Sequence, residues 1–169
     1  MPIIEKFLGQ RVEVPEGLRY YVKQGLWARR TDMHIIFGFT QPSLVLMSGI
    51  RDMDWLVDDG ATVKSGDSVV FAITGKILYI DAPIEGTIQY NQSLHESLAQ
   101  ISSDPYGQGW LFQIQPQGDI DGSYMSLLSY EAYLESLRTT EGLKNPEGLK
   151  GGVSGICKAV YSGIGEQKL

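Results

Sequence analysis

One lysine stands where an amine could do chemistry. Lys76 follows Thr74-Gly75 between two apolar runs, Val69–Ile73 and Ile77–Ile80, and a Gly66-Asp67 turn opens the first of them. Short apolar runs bounded by turn residues read as strands, so Lys76 is presented at a hairpin tip. A primary amine on a rigid, exposed turn suits covalent attachment of a long arm, because the arm must visit distant active sites while its anchor stays fixed. Gly75 supplies the permissive backbone that such a turn often requires. The ordinary alternative is a solvated turn lysine with no chemistry, and type and spacing alone do not separate the two.

The other reactive side chains form no comparable pattern. His34 and His95 lie far apart, with no Cys or carboxylate at ligand spacing, and read as surface or loop residues rather than metal ligands. No Ser/His/Asp order, phosphate loop or pair of carboxylates stands out, so an enzyme reading has little support. Cys157 is the one cysteine and cannot close an intramolecular disulfide, which points to a reducing, cytoplasmic setting. Beside Lys158 it could be a mildly activated thiol, but a small buried hydrophobe is the commoner role.

The elements that must hold Lys76 are short. Strand-like runs recur at Arg19–Val22, Met33–Phe39, Val69–Ile73, Ile77–Ile80, Thr87–Tyr90 and Trp110–Ile114, with Gly, Pro, Asn and Asp between them. That spacing predicts a mainly β fold with short helices, arranged as a flattened barrel or sandwich. Ser129, early Glu131 and the apolar Tyr130, Tyr133, Leu134 and Leu137 predict a capped amphipathic helix that covers the sandwich. Ser43–Ile50 is read as a further helix. Trp110 and Phe112 are expected in the core.

Composition sets the outer limits. A chain of 169 residues with 43% hydrophobic content can bury one proper core. A net charge of −6 and a pI near 4.9 argue against nucleic-acid binding and suit docking on basic partner surfaces. No apolar run approaches the roughly eighteen residues of a membrane span, and Met1–Leu8 carries Glu5 and Lys6 with no signal-like apolar core.

A longer signature gives this context. The segment Asp104-Pro105-Tyr106-Gly107-Gln108-Gly109-Trp110-Leu111-Phe112 resembles that of the glycine cleavage system H protein family. The likeness runs in order through Arg19-Tyr20-Tyr21, Trp27, Gly38-Phe39-Thr40, Gly60, Gly66-Asp67, Pro83 with Gly86, Asn91 with Leu94, and Leu127-Leu128-Ser129. Pro105 restricts its own backbone and that of Asp104, while Gly107 and Gly109 allow turns that deliver Trp110 onward into a strand.

The resemblance implies a biotinyl/lipoyl-carrier-like fold, a barrel-sandwich hybrid, over residues 17–138, with an N-terminal extension at 1–16 and a glycine-rich linker and tail at 139–169. It implies covalent lipoate on a hairpin lysine, for which Lys76 is the candidate. The dithiolane of that arm would take up an aminomethyl group or a related one. The implied partners are glycine decarboxylase-, aminomethyltransferase- and dihydrolipoyl dehydrogenase-like enzymes and a lipoate-attaching enzyme. Such a protein is a carrier and not a catalyst.

The chain also departs from the family pattern. Where the family hairpin reads Glu-Ser-Val-Lys-Ala, this chain has Ile73-Thr74-Gly75-Lys76-Ile77, so an acid becomes isoleucine. Counted from Gly66 the carrier position is Lys76, and counted back from Pro83 it is Gly75, because the returning strand is one residue short. A one-residue change in a hairpin alters register or turn type and can turn a side chain to the opposite face. The family's His-Glu before Trp is here Gly25-Leu26 before Trp27. Two readings therefore stand, a lipoyl carrier modified at Lys76 or an unmodified relative that binds or scaffolds. In the tail, Glu141-Gly142-Leu143-Lys144 is echoed by Glu147-Gly148-Leu149-Lys150, too few copies for a repeat architecture, and Val153, Ile156, Val160 and Tyr161 could line a short docking helix.

Overall fold

The computed structural model describes residues 2–149. Two sheets pack face to face. The larger has six strands in the order β3-β4-β5-β11-β10-β7, formed by β3 (Arg19–Tyr21), β4 (Leu26–Arg30), β5 (Ile35–Phe39), β7 (Thr62–Val63), β10 (Gly86–Tyr90) and β11 (Phe112–Pro116). The smaller has three, in the order β6-β8-β9, with β6 (Asp52–Trp55), β8 (Ser68–Ile73) and β9 (Ile77–Asp81). Phe37, Phe39, Ile88, Phe112 and Ile114 from the first sheet meet Val70, Ala72 and Ile80 from the second in one core, giving the flattened sandwich expected from the strand spacing. Fully burying one such side chain contributes about 1.5–3 kcal/mol.

A second apolar layer covers the far side of β3 and β4. It is built by a hairpin of β1 (Ile3–Phe7) and β2 (Gln10–Glu13) together with the helix Tyr130–Leu137. Phe7, Val12, Val14, Tyr20, Trp27, Tyr133 and Leu137 fill it, and the Tyr20 and Tyr133 rings stack at 4.3 Å. Because β4 is covered on both faces, Leu26, Trp27 and Ala28 are all buried in succession. The alternation that would announce a strand is lost, which is why β4 is not read from the sequence. β6 escapes for the opposite reason, since Asp52 and Asp54 break the apolar run.

The helices are short and start where capping residues stand. α1 (Gln41–Met47) begins with Thr40 accepting from the Ser43 amide and has Pro42 in its first turn. It ends at Ser48, in the left-handed region with φ 61°. The segment read as Ser43–Ile50 therefore starts two residues earlier and stops three earlier. After a single turn at Gln92–His95 come α2 (Gln100–Ser103), α3 (Ile120–Met125), α4 (Tyr130–Leu137) and α5 (Glu141–Lys144). In α4 the Ser129 hydroxyl accepts from the Ala132 amide at 3.1 Å, as the cap residue predicts. α5 is tied to the β1–β2 turn, where the Leu8 amide donates to Gly142 and the Gly9 amide to Pro146. Cys157, Lys158 and the apolar residues of the tail lie outside the described residues.

Candidate functional site

Lys76 sits on the loop between β8 and β9. Ile73 pairs with Ile77, so the loop is Thr74-Gly75-Lys76, with Gly75 at its centre and Lys76 on the returning side. Thr74 is buried and does the fixing. Its amide donates to the Lys76 carbonyl at 2.8 Å, and its hydroxyl oxygen accepts from the Lys76 amide at 3.2 Å. Lys76 itself is exposed, and no ion pair among the described residues involves it. Leu46, Met47 and Ser48 of α1 and its C-cap line a shallow hollow of about 360 Å³ with Thr74, Gly75, Lys76 and Leu78.

The missing residue of the returning strand is accommodated at the base of the hairpin. Ser68 pairs with Asp81 but Val70 pairs with Ile80, so Val69 is an extra residue on β8. Above this bulge the ladder runs without a break from Val70↔Ile80 to Ile73↔Ile77. The Val69 carbonyl is satisfied from elsewhere, accepting from the Leu56 amide at 2.9 Å and from the Tyr90 hydroxyl at 3.1 Å. Burial pushes the Tyr90 phenol up to about 12, and its ring stacks on Trp55 at 4.1 Å.

The base is pinned a second time by charge. Asp81 is nearly buried and accepts from Lys23 at 2.5 Å and from the Ser68 hydroxyl at 3.3 Å. The hydrogen bond to Asp81, and then its charge, hold the Lys23 ammonium above the usual lysine range. Gln24 adds a bond from its amide to the Tyr79 carbonyl. Neither Lys23 nor Asp81 is singled out by the sequence reading, because their pairing spans 58 positions.

Gly75 plays a different part from the one expected. Its φ lies outside the left-handed region and a Cβ there would meet open space. The turn is held by Thr74 and does not depend on glycine's freedom. The histidines are separate, as expected. His34 lies in the β4–β5 turn, and exposed His95 accepts from the Trp55 indole at 3.0 Å.

The signature segment is a clasp. Asp104 accepts the Gly107 and Gly109 amides on its carbonyl and the Gln108 amide on its carboxylate. Pro105 accepts from the Trp27 indole at 2.8 Å and Tyr106 from Arg29 at 2.7 Å. The Tyr106 hydroxyl donates to Glu13 and accepts from the Gln41 amide. Buried Asn91 uses all of its side-chain capacity, donating to Gln108 and Trp110 and accepting from the Ser93 amide and hydroxyl. Phe112 is fully buried, whereas Trp110 is partly exposed and packs on the second layer. None of these partners belongs to β8 or β9.

Comparison with known proteins identifies the family to which this scaffold belongs. The family model described as "Glycine cleavage H-protein" matches residues 19–140. The chain belongs to the glycine cleavage H-protein family. It is similar to the glycine cleavage system H protein of Anaeromyxobacter sp. (strain K), 33% identical over 127 residues that cover 73% of this chain and 98% of the relative. It is likewise similar to the probable glycine cleavage system H protein of Aeropyrum pernix, 33% identical over 140 residues covering 77% and 96%. A crystal structure of the glycine cleavage system H protein from Mycobacterium marinum superposes with a TM-score of 0.57 at 25% identity, covering 73% of this chain and 98% of that one. H proteins are carriers of covalent lipoate and not enzymes, and they work with the other proteins of the glycine cleavage system. No helix among the described residues is long and apolar enough to cross a membrane.

Proposed function

We propose that this H protein carries lipoate in amide linkage on Lys76 and works in the cytoplasm. There it would pass an aminomethyl or related group among glycine decarboxylase-, aminomethyltransferase- and dihydrolipoyl dehydrogenase-like partners, after loading by a lipoate-attaching enzyme. The supporting observation is the hairpin, an exposed amine on a tip whose register is taken up at a bulge below it. Lys76 fits the group because its amine is open and unpaired among the described residues and its backbone is locked by Thr74.

The lipoyl dithiolane supplies the thiol chemistry that takes up and releases the carried group. In loading, Lys76 Nζ forms one bond to an activated lipoyl carbonyl carbon. The leaving group departs with its electron pair, and Nζ gives up two protons in passing from ammonium to amide. The protein's part is position. Thr74 keeps the anchor in one orientation, and Asp81, Lys23 and the Val69 bulge keep the hairpin from sliding on its base.

Intact mass and peptide mapping across Val69–Tyr90, on protein from its native host, test the assignment. The expected result is a lipoyl increment on Lys76 that is lost in Lys76→Ala, with stability changed by less than about 0.5 kcal/mol, as for an exposed turn residue. An unmodified Lys76, in cells whose other lipoyl proteins are modified, would overturn it and leave an H-like binding module.

A further inference from the structure

The described body ends at a hollow. Leu8 and Val12 of the β1–β2 hairpin, Leu44 and Val45 of α1 and Leu149 line a volume of about 690 Å³, against about 360 Å³ for the hollow beside Lys76. Leu46 and Met47 face that second hollow, so the two lie on opposite flanks of α1 and share Ser48. Leu8 stands in the hairpin turn at φ 52°, a conformation that suits glycine or asparagine, and there it adds an apolar wall.

The chain is held firmly up to its exit. The two Glu-Gly-Leu-Lys copies grip the same β1–β2 turn, Gly142 against the Phe7 ring and Gly148 against the Leu8 carbonyl, at distances where a Cβ would overlap. Asn145 donates to the Leu149 carbonyl at 3.1 Å and accepts from the Leu149 amide at 3.2 Å, which fixes where residue 150 begins. Leu143 of the first copy packs on the second apolar layer, whereas its counterpart Leu149 is 58% exposed.

The sequence beyond Leu149 supplies a fitting occupant. Val153, Ile156, Cys157, Val160, Tyr161 and Ile164 recur at three- and four-residue spacing, so on a helix they share one face, with Ser154, Lys158 and Ser162 opposite. From 151 to 165 Lys158 is the one charge, in a chain that is 20% charged. A helix over 153–164 lies at the limit of about 12–15 residues below which isolated helices are marginal in water, so its stripe needs a surface. Gly151-Gly152 give the joint freedom to turn back, and the tether sets an effective concentration on the order of mM at the hollow.

We infer that residues 153–164 seat as an amphipathic helix in this hollow, with their apolar stripe against Leu8, Val12, Leu44, Val45 and Leu149. A second copy or another protein would have to displace a segment already tethered there. The inference stands whether or not Lys76 carries an arm.

The test is paramagnetic relaxation in the 15N-labelled full-length chain, with Cys157→Ser and Ser162→Cys so that a nitroxide sits on the polar side of the segment. Amides 10–12 and 44–49 should lose intensity. Adding Ile156→Asp/Val160→Asp, which leaves the described body untouched, should restore it. A mixture of nitroxide-bearing unlabelled chain with nitroxide-free 15N-labelled chain should show no loss at those amides. Loss centred on another surface, loss confined to the tether at 145–149, or loss that persists in the double aspartate variant overturns the inference. So does loss at 10–12 and 44–49 in the mixture, which would give the hollow to a second copy.

Discussion

The Lys76 hairpin and the Asp104–Phe112 clasp both turn the chain sharply beside a glycine, and they do so in opposite ways. In the clasp the Pro105, Tyr106, Gln108 and Trp110 carbonyls all accept from side chains outside the segment, and a Cβ on Gly109 would overlap the Gln100 carbonyl. At the hairpin tip one threonine holds the loop, Gly75 has open space around it, and among the described residues no hydrogen bond or ion pair fixes the lysine's amine. The clasp is the more diagnostic of family yet reaches no part of β8 or β9. The residues most restricted by packing build the scaffold, whereas a lysine proposed to carry an arm needs only exposure and a steady anchor.

The contrast is broken most severely by emptying the clasp's own anchor. Phe112→Ala removes a fully buried ring and should cost about 3–5 kcal/mol, read from urea unfolding; a loss below about 1 kcal/mol would mean that the clasp does not seat the core. Asn91→Ala strips the two donors that close the clasp over Gln108 and Trp110. It should cost about 1–3 kcal/mol by the same measurement, with lipoyl incorporation on intact protein unaffected. Gly75→Ala sharpens the other side of the comparison. The tip backbone is already one that alanine adopts, so stability should move by no more than about 0.5 kcal/mol and modification of Lys76 should persist. A large loss there would show that the tip is as tightly built as the clasp.

Much of the scaffold is legible from local pattern. The strands at Arg19, Val69, Ile77 and Thr87 and the Ser129-capped helix are found within a residue or two of where spacing and capping place them. The strands that escape are those whose surroundings erase the alternation. β4 is buried on both faces, β6 carries acids outward, and β1–β2 is held by contacts with α4 and α5 that no nearby residue announces. The site was half legible in the same sense. A lysine near a hairpin tip follows from the runs that flank it, but two registers remain open when the strands are counted from either end.

What the amino-acid order determined is the strands at Arg19, Val69, Ile77 and Thr87, the cap of α4, the buried place of Phe112, and the presence of one lysine on the β8–β9 turn. These follow from interactions between residues a few positions apart, where pattern and geometry are tied together. Only the tertiary structure decided that the short returning strand is absorbed at Val69, because that bulge is tolerable only with Leu56 and Tyr90 in place to satisfy its carbonyl. It alone decided as well that Ile73, Ile77, Phe71 and Tyr79 gather on one face beside two acids, since a face is defined by which strands lie next to one another and not by any stretch of the chain alone.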